Sequence, residues 1–203
     1  MSYRSNYMLR SLCALGLIGS VAGCSSDPTL YTVAAVAGDA LAGGPAVVEI
    51  RTPVVSPRLD RDTIVEADRG YHLKMASGDS WSEPLGDMIG HVLSRDLSQR
   101  LPATTVFAQN DAVTTTPQAF VELTINRFEA DPSGYAVVSG ALSVHPAGSM
   151  VSPVMTYPIE WKSKDVTTGN TDRLVAQLSA GVAAISEQAA QHLRTLPLPH
   201  ITQ

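Results

Sequence analysis

Cysteine, aromatic residues and basic runs are all scarce in this chain of 203 residues. Its two cysteines, Cys13 and Cys24, both lie near the N-terminus. Everything after them lacks a disulfide, and lacks a thiol for zinc binding or nucleophilic attack. Aromatic residues make up 5% of the sequence, too few for a surface on which nucleic-acid bases stack. Lysine and arginine total 14 against 19 aspartates and glutamates, and no basic run is present. That balance argues against nucleic acid as a partner and against electrostatic attraction to anionic lipid. No segment reaches the roughly 20 apolar residues that a membrane-spanning helix needs. No G-x-x-x-x-G-K-[ST] sequence is present to cradle a nucleotide phosphate.

What is present at the start is a leader. Arg4 and Arg10 precede an apolar stretch, Leu12 to Ala22, interrupted by Ser20, and the segment Leu17-Ile18-Gly19-Ser20-Val21-Ala22-Gly23 ends at Cys24. A charged start, a short apolar run and small residues before a cleavage point read as a secretory signal. The cysteine at that point reads as a lipobox. The expectation is a signal peptide over residues 1–23. Cys24 then becomes the first mature residue, carrying a diacylglycerol on its sulfur and an acyl chain on its amine. Residues 24–29 form a short tether and 30–203 one domain of ordinary size. Loss of Arg4 and Arg10 takes the net charge from −5 to −7. Two or three acyl chains anchor stably without help from charge, whereas one does not.

The remaining chain alternates short strand patterns with two helices. Leu30–Val36, Ala46–Val55, Thr63–Ala67, Tyr71–Ala76, Thr104–Ala108, Phe120–Glu129, Tyr135–Val144 and Val154–Lys162 read as strands. Pro53 and Pro57 predict that the second strand ends early or runs at an edge. Arg69-Gly70, Asp131-Pro132-Ser133-Gly134 and His145-Pro146-Ala147-Gly148 read as turns. Leu85, Met88, Ile89, Val92, Leu93, Leu97 and Leu101 make one apolar stripe, so a helix is expected from Ser80 to Leu101. Ser80-Trp81-Ser82-Glu83 has the spacing of a capping box for it. Leu174, Leu178, Val182, Ile185, Ala189, Leu193 and Leu196 form the stripe of a second helix, capped at Asn170 or Thr171. The end, Leu196 to His200, reads as extended. The predicted class is α+β: a mostly antiparallel or mixed sheet with two long amphipathic helices on one face.

Candidate chemistry is thin. Gly78-Asp79-Ser80 matches the start of a G-D-S esterase motif, but neither His192 nor His200 has an aspartate three residues before it, as that reaction's base would require. Ser80 reads instead as part of the helix start. The five histidines, His72, His91, His145, His192 and His200, show no metal-ligand spacing. Asp60 and Asp62 flank Arg61 and read as a solvated or salt-bridged loop, and Trp81 and Trp161 as core anchors. The reading is a non-enzyme.

Three segments, in order, carry a resemblance: Leu59-Asp60-Arg61-Asp62-Thr63-Ile64-Val65, Trp81-Ser82-Glu83-Pro84-Leu85 and Val92-Leu93-Ser94-Arg95-Asp96-Leu97. Together with the lipobox they resemble the ABC-type transport auxiliary lipoproteins (PqiC/YmbA-like), with their P-x-x-L-D-R-x-x-I-V loop and W-x-E-P-L helix start. The resemblance covers most of residues 28–196. Two departures stand out: Pro57 lies two residues before Leu59 rather than three, and the first strand carries a single tyrosine, Tyr31. The resemblance implies an accessory lipoprotein of an MCE-type intermembrane lipid transporter, on the periplasmic face of the outer membrane. Ser25 after Cys24 agrees with sorting there. It further implies an MCE-domain tunnel protein as partner, phospholipid as the candidate cargo, and a closed homo-oligomer to match a symmetric tunnel. Pro57, Leu59, Asp60 and Arg61 are the expected partner-facing residues; Trp81, Glu83, Pro84 and Leu85 are expected to fix the first helix. The alternative is a small assembly lipoprotein of the lipopolysaccharide-export type, bound to an outer-membrane β-barrel.

Overall fold

The computed structural model describes residues 27–67, 72–148 and 155–197. The expected signal peptide, Cys24, the Arg69-Gly70 turn, the first residue of the Val154–Lys162 strand and the terminal Leu198–His200 stretch lie outside the described residues.

The sheet is built on one long strand, Ala119–Ala130 (β7). Ala119, Val121, Leu123 and Ile125 alternate inward and are buried, the period-two pattern of a strand with one packed face. Along one edge β7 pairs antiparallel with Tyr135–Pro146 (β8), which pairs with Met155–Val166 (β9), making the expected meander. The other edge is covered in succession by three short parallel strands: Val47–Ile50 (β2), Val54–Val55 (β3) and Thr63–Ala67 (β4). Thr105–Ala108 (β6) lies outside β2, Leu73–Trp81 (β5) outside β4, and Thr29–Tyr31 (β1) outside β5. The sheet is therefore mixed. The second strand does stop early, at Ile50, but it is not at an edge, because β6 and β7 flank it.

Both helices, Leu85–Arg100 (α1) and Thr171–Thr195 (α2), pack on the sheet and on each other. Every residue of the α1 stripe is buried, and so are Leu174 through Leu193 of the α2 stripe. Asn170 caps α2, accepting the Arg173 N–H at 2.7 Å. Gly181 lets α2 approach the sheet closely: a Cβ there would lie 2.7 Å from Val138 Cγ2 and 3.0 Å from Trp161 Cε3. Gly181→Ala should therefore cost about 1–3 kcal/mol through overpacking. Thermal unfolding and a shifted Trp161 emission would record it.

Two expectations need correction. The first helix does not begin at Ser80, and no capping box forms. Ser80 and Trp81 complete β5, paired with Leu30 and Tyr31. The Trp81 N–H donates to Asp62 O (2.6 Å) and the Ser82 N–H to Tyr31 O (2.8 Å). Pro84 disfavours a helical conformation at Glu83, so the helix starts only at Leu85, with Pro84 as an N-cap that lacks a side-chain bond. The first strand likewise ends at Tyr31 rather than Val36. Residues 32–46 instead run as a strap over the helices. There the Val33, Ala34 and Val36 N–H groups donate to Met88 Sδ (3.2 Å), Ser179 Oγ (3.1 Å) and Asp96 Oδ1 (2.9 Å). Gly38 follows from this seat, since a Cβ there would collide with the Arg100 guanidinium.

Beneath the strap Asp96 is fully buried and also accepts the Ser186 hydroxyl at 3.3 Å. Burial pushes its carboxyl up from the usual range, against the pull of the Val36 N–H and Arg100. Arg100 donates to Val36 O and Asp96 O (3.2 Å each), and its Nε lies 3.4 Å from the Glu187 carboxylate without hydrogen-bond geometry.

At the β7–β8 turn Asp131 accepts the Ser133 and Tyr135 N–H groups (2.8 and 3.0 Å) and the Lys162 ammonium (2.7 Å). Burial alone would raise its pKa, but these donors outweigh it and hold the carboxyl below its ordinary value. A lowered folded-state pKa adds stability above the unfolded-state value, and that stability is lost as pH falls through the folded one. Asp131→Asn should thus cost about 1 kcal/mol at neutral pH. The difference from the parent chain should shrink to nothing below the carboxylate range in denaturant titrations.

Candidate partner-facing site

The loop 56–62 bridges β3 and β4, which lie end to end along the same edge of β7. Its backbone is folded on itself. The Ser56 N–H donates to Ile125 O (2.8 Å), while Ser56 O accepts the Leu59 and Asp60 N–H groups (2.8 and 3.2 Å). That turn drives Leu59 into the core, where it is 1% exposed. Leu59 is thus the peg of the loop and offers nothing to a partner, which corrects its assignment as a contact residue. An apolar side chain of this size gains about 1.5–3 kcal/mol by leaving water, more than a loop position would forgo.

Arg58 provides a second fixture. Its guanidinium forks onto Glu129 (Nη1 2.6 Å, Nη2 3.0 Å) and donates to Asn126 O (3.0 Å). Arg127 Nε reaches the same carboxylate at 2.9 Å. Glu129 is 1% exposed, so two cations compensate a carboxylate that would otherwise be costly to bury. Its position follows from a bulge in β7 between Ile125 and Arg127, which shifts the inward alternation to Phe128 and Ala130.

The second motif meets the first here. Trp81 is buried against Phe128 (ring centroids 5.9 Å, tilted by 52°), and its N–H holds Asp62 O. Leu85 is buried below, Pro84 is exposed at the helix start, and Glu83 lies 3.4 Å from the His91 ring on the next turns of α1. What remains at the surface is Pro57, Asp60, Arg61 and Asp62, a −/+/− crest on a base fixed at Leu59, Arg58 and Trp81. Such a crest can recognise a partner by charge and shape. The Gly78-Asp79-Ser80 segment is strand: Ser80 pairs with Leu30 and Thr63, and the Asp79 carboxylate accepts the Thr171 hydroxyl. His192 is stacked on Tyr157 (3.5 Å between centroids), and burial lowers its pKa. Among the described residues no group of three or more His, Cys, Asp or Glu side chains is placed to hold a metal ion. No helix among them is long and apolar enough to cross a membrane. Glu129 and Arg58 were not singled out by sequence reasoning. An acidic residue next to an inward phenylalanine, with an arginine in the facing loop, was the available signal.

Solved structures share this architecture. One, a crystal structure of an uncharacterized protein, has a TM-score of 0.67 at 18% identity, over 82% of this chain and 98% of that one. Another, protein XCC0632 from Xanthomonas campestris, of the DUF330 family, has a TM-score of 0.62 at 15% identity, over 81% of this chain and 95% of that one. No curated relative matches the sequence. The family model of the ABC-type transport auxiliary lipoprotein component matches residues 29–190, from β1 almost to the end of α2. With that match spanning both motifs, the strap and every element of the sheet, the chain belongs to the ABC-type transport auxiliary lipoprotein family.

Proposed function

We propose that this protein is a non-enzymatic docking component of an MCE-type intermembrane lipid transporter, held on the periplasmic face of the outer membrane by acyl chains on Cys24. The observation that carries this reading is the exposed Asp60-Arg61-Asp62 crest, seated on a buried Leu59 and a forked Arg58–Glu129 pair. A rigid, charged loop suits recognition, because little conformational freedom is lost when it binds. The partner in this reading is the tunnel protein built of MCE domains, and phospholipid is the cargo that passes on. The domain itself docks the path's end. The acyl chains, at about 0.8 kcal/mol per buried CH₂, supply the membrane affinity that an acidic chain lacks.

The test is co-purification from membranes with the full-length, tagged protein. The parent chain should recover an MCE-domain protein, and Asp60→Ala with Arg61→Ala should reduce recovery at least tenfold without changing the unfolding midpoint. Equal recovery by the variant would remove the loop from the reading, and recovery of an outer-membrane β-barrel would favour the assembly alternative. The mass of the mature N-terminus tests the anchor: three acyl groups' worth of added mass on Cys24 is expected, and an unmodified cysteine would exclude it.

A further inference from the structure

Between Cys24 and the body the chain is held in graded stages. Cys24 is five residues before Thr29. A chain spans at most about 3.3–3.6 Å per residue, so this tether keeps β1 within about 18 Å of an acylated Cys24. β1 comes next, three residues paired parallel with the end of β5 at one end of the sheet. The strap follows it. The first element held on both sides is β2, between β6 and β7.

The strap is clasped by groups on α1 and α2 rather than by a neighbouring strand. Val33 N–H meets Met88 Sδ, a weak acceptor, Ala34 N–H meets Ser179 Oγ, and Val36 N–H meets Asp96 Oδ1. Further on, Leu41 N–H donates to Arg100 O and Arg194 Nε to Ala42 O (2.6 Å each). From Thr29 to Gly44 only Val33 is buried, with Tyr31, Ala35 and Leu41 packing partly against the core. Segments with so few buried apolar side chains open locally at low cost. Asp96 weakens the clasp further. Its fully buried carboxylate accepts from two neutral groups, Val36 N–H and the Ser186 hydroxyl, and burial disfavours its ionised form. Lifting the strap returns that carboxylate to water.

The strap also has a hinge and a stop. Gly43 and Gly44 have φ of 88° and 114°, and a Cβ at Gly43 would meet nothing within 4 Å. Glycines in open space turn without steric penalty. Pro45 is buried, and its carbonyl accepts the Thr104 hydroxyl at 2.9 Å, so peeling ends there. We propose that β1 and the strap are a stowed length of tether, which unzips from the two helices under load and lets the domain leave the membrane while its body stays folded. This rests on the reading of Cys24 as the anchor and of the crest as the docking point. Released, the 21 positions from Cys24 to Pro45 span up to about 75 Å. The domain then follows the end of a periplasm-spanning partner at varying distances from the bilayer.

Pulling on the mature chain in an optical trap tests the release without any partner. One handle sits at the N-terminus of a Cys24→Ser chain and the other on Arg61→Cys, so the load runs from anchor to crest. The expected record has a first, low-force step of no more than about 55 Å, the extended span of residues 29–44, before the body unfolds at higher force. Val33→Ala should lower the force of the first step and leave the second where it was. A single step that unfolds the whole domain, or a Val33→Ala effect confined to the second step, would overturn the stowed tether whatever the partner is. In cells, with Cys24 acylated, Ala34→Cys and Ser179→Cys are the sole thiols and close the strap as a disulfide. Closure should cut recovery of the MCE-domain protein several-fold, and reductant should restore it. Equal recovery by the closed and reduced forms would overturn the role in reach and leave the docking reading standing.

Discussion

Leu59→Ala should lower the unfolding free energy by about 3 kcal/mol, the middle of the range for leucine truncation in a packed core. It should reduce partner recovery only to the extent that the variant unfolds. The side chain is almost wholly buried, and the backbone that places it is held by Ser56 O and Ile125 O. No other side chain in the loop can fill the space, because Arg58 is committed to Glu129 and Asp60 and Arg61 point to solvent. The neighbouring substitution Arg61→Ala should change stability by no more than about 0.5 kcal/mol, as expected for an exposed residue without a core role. Two adjacent pairs of positions in one motif thus divide the labour in the proposed reading, Leu59 with Arg58 holding the fold and Asp60 with Arg61 facing the partner. Chemical denaturation of the two single variants, read beside their co-purification, would separate them. A Leu59→Ala variant of parental stability would contradict the placement of the peg.

The second large effect is expected at Arg58. Arg58→Ala leaves the Glu129 carboxylate buried, with Arg127 as its remaining cation, and should cost about 2–3 kcal/mol, somewhat below the usual figure for an orphaned buried charge. Glu129→Ala should cost less, since Arg58 and Arg127 both keep access to water. The double variant should be less destabilised than the two singles combined, with a coupling of about 1–2 kcal/mol. Strict additivity would mean that the forked pair contributes nothing and that the loop is held by Leu59 alone.

The helices were legible because their buried positions recur at steps of three and four over several turns, a signal that local exceptions do not erase. Leu85 through Leu101 and Leu174 through Leu193 are buried as their spacing predicts. Hairpins joined by short turns, such as β7–β8 at Asp131–Gly134, were legible for a similar reason: the turn chemistry and both flanking strands sit in one window of sequence. Long-range partners were not. The start of the strap, up to Val36, reads as a strand, yet its N–H groups bond to Met88, Asp96 and Ser179 far along the chain. Ser80-Trp81-Ser82-Glu83 satisfies the spacing of a cap, but β1 had already taken the backbone of Ser80 and Trp81. At the loop, the charges around Leu59 suggested a surface residue, and only the fold reveals the core beneath it. Glu129 was hidden because the β7 bulge puts it on the face opposite Phe128 and Ala130, where its burial depends on Arg58, 71 residues earlier in the chain.

The central claim is that the crest at Asp60–Asp62 faces a transporter partner at the membrane. A photoreactive amino acid at position 61, in full-length protein within intact cell envelopes, tests it most directly. A crosslinked product containing an MCE-domain protein is expected, lost when the photoreactive group is moved to position 73. A crosslink from position 61 to an outer-membrane β-barrel, or to no protein while other surface positions capture one, would contradict it.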